Sequence, residues 1–399
     1  MTRRCEQDIR IPRFAASAVK RCGKNSEISP VVIYKPNRSV CASDPSYRLG
    51  ILVFGNMHSR KDMPPALVQR LGRRYAEQRL RVEADHEAQI FGQGINFFHF
   101  ENWYTSEWLI RNTLRLIGLY RRGLKNATRV ELRHNKLVLA RLPSAFDGLT
   151  ILHVSDMHVD MNEGAMGALI NLVKALEYDL CVLTGDYRGK TWGPFEAALA
   201  GLGRVRAHLR DPIYGVLGNH DSIRMVPGLE RLGIRILLNE CDTLSRGDQR
   251  IHLAGIDDAH FFRAENIEKA SAEIPGSAFS ILLSHTPEIY RQAAAADFDV
   301  LLSGHTHGGQ ICLPGSVPIT LDSVLPRRMG SGPWAYRNMA GYTSTGAGSS
   351  IVPVRFNCPP TITLHTLHCA PEANKGDPAA PTRRTDAKAR SHRQRTALP

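Results

Sequence analysis

Residues 149–158 read LTILHVSDMH, and four further apolar runs of the same kind follow: DLCVLTGD (179–186), PIYGVLGNHD (212–221), FSILLSHT (279–286) and FDVLLSGHTH (298–307). Each run is short, rich in Val, Ile and Leu, and bounded by Gly, Ser or Asp, which is typical of a buried strand in an α/β sheet. The side chains at their ends are of types that bind metals: Asp156, His158, Asp186, Asn219, His220, His285, His305 and His307. Because ligands bind beyond the carboxyl ends of such strands, the pattern predicts that these side chains gather at one edge of one sheet.

The chemistry of this set points to transition metals. In an extended strand, residues i and i+2 lie on the same side, so Asp156 and His158 can hold one ion together. Carboxylate and imidazole ligands suit manganese, iron or zinc, whereas calcium prefers oxygen ligands alone. The set is large enough for two ions, and a shared carboxylate suits displacement at phosphorus. Asp186 follows a Gly that permits close backbone approach, so we expect it to be the bridging residue.

The charge is unevenly distributed along the 399 residues, whose formal net charge is +13. Residues 1–148 carry 26 Lys and Arg against 13 Asp and Glu, and residues 372–399 carry 7 against 3, so the central part is mildly acidic. Basic flanks favour contact with an anionic membrane or with nucleic acid, and a solvated face or a disordered tail is the alternative.

The cysteines and the hydropathy pattern exclude several classes of protein. Eight cysteines without a CxxC pair argue against a disulfide scaffold and against a zinc finger, and favour a reducing compartment. The sequence has no run of about 20 apolar residues, so we predict no membrane-spanning helix, and the start of the chain has no secretory signal pattern. We therefore expect a cytoplasmic protein, with peripheral contact at the inner membrane surface as an option.

The segment before the apolar runs is predicted to contain helices and a hairpin. Residues 66–90 look helical, and between Trp103 and Arg122 an apolar stripe opposes a basic face. The stripe comprises Trp108, Leu109, Ile110, Leu114, Ile117 and Tyr120, and the basic face comprises Arg111, Arg115 and Arg122. This pattern fits an interfacial amphipathic helix or a helix packed on the protein core or in an oligomer interface. Residues 128–142 alternate apolar and polar around His134-Asn135, which predicts a β-hairpin.

The order of the motifs DxH, GD, GNHD, an isolated His and GHTH resembles that of the calcineurin-like metallophosphoesterase superfamily, over roughly residues 148–368. The form SGHTHGGQ (303–310) is similar to a bacterial branch of membrane-peripheral phosphoesterases that includes a UDP-diacylglucosamine hydrolase. The resemblance implies an α/β fold with four αββα layers, in which two mixed sheets are flanked by helices, here with an N-terminal helical extension. We expect four segments: a poorly ordered basic extension (1–65), a helical, partly amphipathic segment (66–126), the metallophosphoesterase domain (127–370) and a disordered basic tail (371–399).

The resemblance also implies a role for each motif residue. Asp156, His158 and His307 would bind one ion, Asp186 would bridge, and Asn219, His285 and His305 would bind the second. His220 would protonate the leaving oxygen or stabilise charge on the transferring phosphoryl group, and Asp221 would orient His220. Outside this set, Arg188 could reach a substrate phosphate or form a salt bridge within its own loop.

The expected function is therefore hydrolysis of a phosphodiester or pyrophosphate bond, by water that two divalent ions activate. Manganese is favoured, with iron or zinc as alternatives. A lipid-linked or nucleotide-containing phosphate ester is the expected substrate, and an anionic membrane surface is the expected partner. The alternatives are a phosphomonoesterase or protein phosphatase, an inactive binding scaffold, and a nuclease acting through the basic flanks. No recognition helix or aromatic platform supports specific nucleic-acid binding.

Overall fold

The computed structural model describes residues 63–91 and 104–371. The predicted basic extension up to residue 62 and the predicted basic tail from residue 372 lie outside the described residues. Within the two described ranges, no helix is long and apolar enough to cross a lipid bilayer.

The described residues form nine α-helices and fourteen strands. The helices are α1 (Pro65–Leu71), α2 (Arg73–Phe91), α3 (Tyr104–Leu116), α4 (Tyr120–Ala127), α5 (Glu163–Val173), α6 (Glu196–Arg206), α7 (Val226–Arg231), α8 (Ile267–Ser271) and α9 (Tyr290–Ala295). The strands are β1 (Glu131–Leu139), β2 (Thr150–Val154), β3 (Leu180–Leu183), β4 (Ile213–Gly215), β5 (Arg235–Ile236), β6 (Glu240–Arg246), β7 (Gln249–Gly255), β8 (Ser280–Leu283), β9 (Val300–Ser303), β10 (Cys312–Leu313), β11 (Val317–Pro318), β12 (Gly332–Tyr336), β13 (Met339–Thr343) and β14 (Thr361–Cys369).

Two six-stranded mixed sheets form the centre of the fold. The first sheet has the order β1-β14-β2-β3-β4-β5, and the second has the order β12-β13-β9-β8-β7-β6. In the first sheet β2 to β5 run parallel, and in the second β13, β9, β8 and β7 run parallel. A short antiparallel pair, β10 and β11, stands apart from both.

The buried apolar side chains show how the layers stack. One cluster contains side chains from both sheets, among them Ile151, Val182, Leu253 and Leu302, so the sheets pack face to face. A second cluster joins the first sheet to α5, α6 and α7, and a third joins the second sheet to α8 and α9. The predicted four-layer αββα sandwich is confirmed.

The β-hairpin predicted at 128–142 is wrong. A single strand, β1, continues through His134 and Asn135 and pairs in parallel with β14 along its whole length. The Asn135 amide, which read as a turn signal, contacts the ring of His365 in β14, with 3.0 Å between Nδ2 and Nδ1. Because β14 lies more than 200 residues along the chain, local sequence could not reveal that β1 has a distant partner.

The amphipathic segment forms two helices that are separated at Gly118, which has a φ of 72°. Leu114 is buried against Val352 and Val354, so part of the segment packs on the protein core. Other apolar side chains of the segment stay exposed, and the exposed fraction is 67% for Trp108 and 89% for Leu116. The described structure thus shows both a packed face and an unpacked apolar surface.

Candidate metal centre

The side chains predicted to gather at a sheet edge do meet, but at the junction of two sheets and not on one. Asp156 and His158 follow β2, Asp186 follows β3, and Asn219 follows β4, all in the first sheet. The remaining candidates, His285, His305 and His307, follow β8 and β9 in the second sheet. The carboxyl ends of the parallel strands of both sheets therefore face one common site.

The backbone at this site is strained. Five of the predicted ligands have positive φ angles between 41° and 70°: Asp156, His158, Asp186, His305 and His307. The left-handed region is unfavourable for residues with a side chain and costs roughly 1–3 kcal/mol each. Such strain clusters at functional sites, where the surrounding structure fixes it in order to aim side chains.

The first group of candidate ligands surrounds Asp156. His307 Nε2 lies 3.5 Å from Asp156 Oδ1 and 3.1 Å from His158 Nε2. His158 Nε2 also lies 3.7 Å from Asp186 Oδ2. One ligand atom from each of Asp156, His158 and His307 lies within 4.8 Å of the others, a spacing that fits one ion.

The second group surrounds the other side of Asp186. His285 Nε2 lies 3.4 Å from Asp186 Oδ2 and 2.9 Å from Asn219 Oδ1. His305 Nδ1 lies 3.0 Å from the same Asn219 oxygen and 3.2 Å from His285 Nε2. Asp186 Oδ2 therefore faces both groups, as a shared carboxylate between two ions would.

Three of the imidazoles are oriented by main-chain carbonyl oxygens on their outer side. His158 Nδ1 lies 2.8 Å from Arg188 O, His285 Nδ1 lies 2.8 Å from Thr184 O, and His305 Nε2 lies 2.7 Å from Asp322 O. Since a carbonyl only accepts, these outer nitrogens donate, and each inner nitrogen points at carboxylate or amide oxygens or at another imidazole. In the neutral rings a lone pair faces these acceptors, and a metal ion or a proton between them would satisfy both, so the residues present fit a metal site with oriented ligands.

His307 is held differently from the other three. Its Nδ1 lies 3.0 Å from a guanidinium nitrogen of Arg355, which can only donate. Arg355 is itself fully buried, and its other donors reach carbonyl oxygens of His307, Thr345 and Gly348. Burial and the Arg355 charge hold the pKa of His307 well below its usual range, which keeps this imidazole neutral.

The pKa values of the two central carboxyl groups, Asp156 and Asp186, shift in opposite directions, because the neighbouring histidines outweigh burial only at Asp186. Burial, helped by the charge of Asp186, raises the pKa of Asp156 to about 6. Burial also acts to raise the pKa of Asp186, but His285 and His220 outweigh it and hold that pKa well below its usual range. Two buried carboxylates this close therefore require positive charge nearby, which either protonated imidazole or a metal ion supplies.

The two residues of the predicted catalytic pair, His220 and Asp221, have different contacts. His220 Nε2 lies 3.9 Å from Asp186 Oδ2, and His220 Nδ1 lies 3.3 Å from the Thr191 hydroxyl. The Asp221 carboxylate accepts hydrogen bonds from the main-chain amides of Asp186, Tyr187 and Gly218, at 2.7, 3.0 and 2.9 Å. In the described structure Asp221 thus ties the loop of Asp186 to that of His220.

Arg188 is buried, with 3% of its surface exposed. Its guanidinium donates to the carbonyl oxygens of His220, Thr191 and Gly193. These contacts use all of its donor nitrogens, so in this geometry Arg188 braces the loop beside His220. Among the described residues, Arg188 forms no salt bridge within that loop.

Several residues at the site carried no motif signal. The carbonyl oxygens of Thr184 and Asp322 orient imidazoles, and such main-chain roles leave no trace in a sequence. The ring of His260 contacts that of His305 in a tilted arrangement, with 4.2 Å between ring centroids, and His260 Nδ1 lies 3.0 Å from the Glu288 carboxylate.

Comparisons with known proteins identify the family of this chain. The sequence model of the calcineurin-like phosphoesterase family matches residues 149–309. The uncharacterized metallophosphoesterase YkoQ of Bacillus subtilis is 31% identical over 55% of this chain and 83% of its own length. The phosphodiesterase YaeI of Escherichia coli is 26% identical over 47% of this chain and 70% of its own length. A bovine transmembrane protein with a metallophosphoesterase domain is 30% identical over 58% of this chain and 55% of its own length.

Proposed function

We propose that this chain, which belongs to the calcineurin-like metallophosphoesterase family, uses a dinuclear metal site to hydrolyse a phosphodiester or pyrophosphate bond. That it is a metal-dependent phosphoric ester hydrolase follows from the family. The observation that carries the finer proposal is the position of Asp186, whose Oδ2 faces a ligand group on each side. Such a shared carboxylate supports two ions over one.

Each ligand group has its own set of residues in this proposal. Asp156, His158 and His307 hold one ion, and Asn219, His285 and His305 hold the other. The mixture of carboxylate, amide and imidazole donors supports manganese, with iron or zinc as alternatives. When bound, divalent ions lower the pKa of water and offset the charge of phosphoryl oxygens.

The chain's own residues supply the proton transfer. His220 is 5% exposed and directs Nε2 toward Asp186, so it can meet the leaving oxygen of a phosphate ester bound at the site. Proton donation from Nε2 to that oxygen would offset its developing charge. The Thr191 hydroxyl beside Nδ1 and the Asp221 carboxylate, through the loops it joins, keep this ring in place.

The choice of a diester substrate rests on a relative and on the surface near the site. The E. coli relative is named a phosphodiesterase, which favours a diester over a monoester. A phosphomonoesterase or protein phosphatase remains the competing function, and hydrolysis rates for the two ester types distinguish them.

The first experiment compares bis(p-nitrophenyl) phosphate with p-nitrophenyl phosphate, using manganese-loaded protein. The test variant is Asp186→Asn, and the control is Asp179→Asn, which changes the carboxylate at the other end of β3. We expect two ions per chain, a faster diester reaction, and a loss of at least about a hundredfold in kcat for Asp186→Asn alone. A fully active Asp186→Asn protein with two bound ions would overturn the dinuclear proposal, and faster monoester hydrolysis would favour the competing function.

The proposed substrate is lipid-linked because an apolar surface lies beside the site. Ten large apolar side chains are strongly exposed in the described ranges, and nine of them fall in two segments, 108–119 and 313–324. Ile311, two residues before the second segment, packs against the same small cluster that contains Leu114 of α3. The second segment continues to Asp322, whose carbonyl holds His305.

The positive charge next to this surface supports an anionic membrane as the partner. Helices α3 and α4 carry Arg111, Arg115, Arg121, Arg122 and Lys125, and phosphatidylglycerol headgroups would complement them. The bovine relative is named a transmembrane protein, which supports a membrane setting.

Vesicle binding tests this part of the proposal. We expect sedimentation of the protein with phosphatidylglycerol vesicles and much weaker binding to phosphatidylcholine vesicles. A double variant, Leu116→Ser with Ile117→Ser, should lose most of this binding, while Val138→Ser, at an equally exposed site on β1 (63%), should not. Equal binding of all three proteins would rule out the α3 surface as the membrane contact.

A further inference from the structure

Helix α2 buries two charged residues on the side that faces the catalytic loops. Arg79 and Glu83 are one helical turn apart, and only 1% and 4% of their surfaces are exposed. A charge is buried in a folded protein only where partners compensate for its lost hydration. The partners of this pair lie in the loop that carries His220 and in a loop beside His305. Helix α2 itself lies outside residues 149–309, which the family model matches.

Glu83 holds the segment that directly follows His220 and Asp221. Its Oε2 accepts a hydrogen bond from the Ser222 hydroxyl at 2.6 Å, and its Oε1 accepts one from the Ile223 amide at 2.7 Å. Arg79 donates to the same Oε1 at 2.7 Å. The carboxylate thus ties two consecutive residues of the loop to one helix.

Arg79 connects the same helix to a second loop. Its Nε donates to Asp257 at 2.8 Å, one of its terminal nitrogens donates to the Asp221 carbonyl at 3.4 Å, and its guanidinium lies 3.6 Å from the ring centroid of Phe262. Within this second loop, the ring of His260 contacts that of His305, with 4.2 Å between ring centroids. Both loops are therefore fixed from α2.

We propose that Glu83 and Arg79 are positioning residues that hold His220 at the distance from Asp186 at which it can protonate the leaving group. Two sets of hydrogen bonds connect α2 with Asp186 through the loop that carries His220. Glu83 fixes Ser222 and Ile223, and Asp221 fixes the amide of Asp186, with His220 between them. This inference rests on the proposed function of His220.

The experiment measures kcat and KM on two diesters that differ only in the leaving group, methyl p-nitrophenyl phosphate and methyl phenyl phosphate. Phenoxide is the poorer leaving group and depends more on a proton donor. We expect Glu83→Ala to lower kcat for the phenyl ester at least about tenfold more than for the p-nitrophenyl ester, with KM nearly unchanged, as His220→Asn should also do. Glu83→Gln, which keeps an acceptor for Ile223, should recover part of the loss.

Three controls separate positioning from general damage. Glu77→Ala changes an exposed acid on the same helix, which pairs with exposed Arg73, and should leave both reactions unchanged. Ser222→Ala removes one Glu83 contact without leaving a buried charge alone, and should reproduce a smaller form of the same selectivity. Metal content and thermal melting of every variant show whether folded, loaded protein is being compared.

Hydrogen–deuterium exchange of the metal-free protein gives a readout independent of activity. We expect Glu83→Ala to speed exchange in peptides covering 218–226 and to leave those covering α5 unchanged. Unchanged exchange there, or equal loss of kcat on both esters, would overturn the positioning role. If His220→Asn shows the selectivity and Glu83→Ala does not, this inference alone fails; if the wild-type enzyme hydrolyses neither ester, the proposed function fails with it.

Discussion

Gly304 lies so close to Asp156 that a Cβ atom at Gly304 would be 2.3 Å from Asp156 Oδ2 and 1.9 Å from the Ser155 hydroxyl oxygen. The carboxylate cannot move away freely, because it accepts a hydrogen bond from the His305 amide at 3.0 Å. Gly304, which directly follows β9, is therefore packed against Asp156 of the candidate metal centre.

Gly304→Ala should consequently displace the Asp156 carboxylate and weaken metal binding. We expect a loss of about 10- to 100-fold in metal affinity or kcat, measured by metal titration and diester hydrolysis. The matched control is Gly167→Ala in α5, where a Cβ would meet nothing within 4 Å. This substitution should raise the free energy of unfolding by roughly 0.5–1 kcal/mol. Normal metal affinity in Gly304→Ala would contradict the expected displacement of the Asp156 carboxylate.

The two faces of α3 should respond differently to truncation. Leu114 is buried against Val352 and Val354, so Leu114→Ala should lower the free energy of unfolding by about 2–3 kcal/mol. Trp108 is 67% exposed, and Trp108→Ser should change stability by less than about 0.5 kcal/mol while weakening vesicle binding. Urea denaturation and vesicle sedimentation measure the two effects. A large stability loss in Trp108→Ser would mean that this surface is covered within the protein.

Metal removal should lower thermal stability. Asp156 and Asp186 are both buried, and each charge disfavours the other, so a cation between them stabilises the folded state. A free metal concentration about a hundred times the dissociation constant contributes about 2.7 kcal/mol. We expect chelation to lower the melting temperature, manganese to restore it, and Asp186→Asn to respond much less. A melting temperature unaffected by chelation, in protein shown to be metal-loaded beforehand, would contradict this expectation.

Acid should destabilise the protein partly through two histidines away from the metal ligands. Burial lowers the pKa of His153 to about 3, and burial together with His153 holds the pKa of His365 well below its usual range. An unfolded histidine titrates near 6.5, so below that pH the unfolded chain binds more protons than the folded one. Stability should therefore fall with decreasing pH by roughly 1.4 kcal/mol per pH unit for each of them.

His365→Gln isolates this contribution. In metal-free protein, urea denaturation between pH 6.5 and 4.5 should show a shallower loss of stability for the variant than for the wild type, by about that amount per pH unit. Parallel pH profiles would show that His365 is protonated in the folded state.

The candidate site was predictable to a large extent from local sequence. Each motif residue ends an apolar strand, and parallel strands place their carboxyl ends together, so Asp156, Asp186 and His285 could be expected to meet. The family resemblance then implied which residues share an ion. Their roles as ligands stay predictions until metal binding is measured.

What local sequence could not show was the partner of each element. Strand periodicity is the same for β1 in a hairpin and for β1 paired with distant β14, because a strand's side-chain pattern records burial and not the identity of its neighbour. For the same reason the apolar runs did not reveal that β8 and β9 belong to a second sheet. Local sequence also could not distinguish Arg79 and Glu83 from the charges on a solvated helix face. Their partners Asp257 and Ser222 lie far along the chain.

The sequence by itself determined the kind of elements, their order and the chemistry of the side chains at the strand ends, because these follow from local periodicity and residue type. Only the tertiary structure decided that two sheets share the site, that carbonyl oxygens of Thr184 and Asp322 orient the imidazoles, and that α2 is fixed against the loop of His220. These contacts join residues far apart in the chain, and their energies depend on burial and distance, which exist only once the chain has folded.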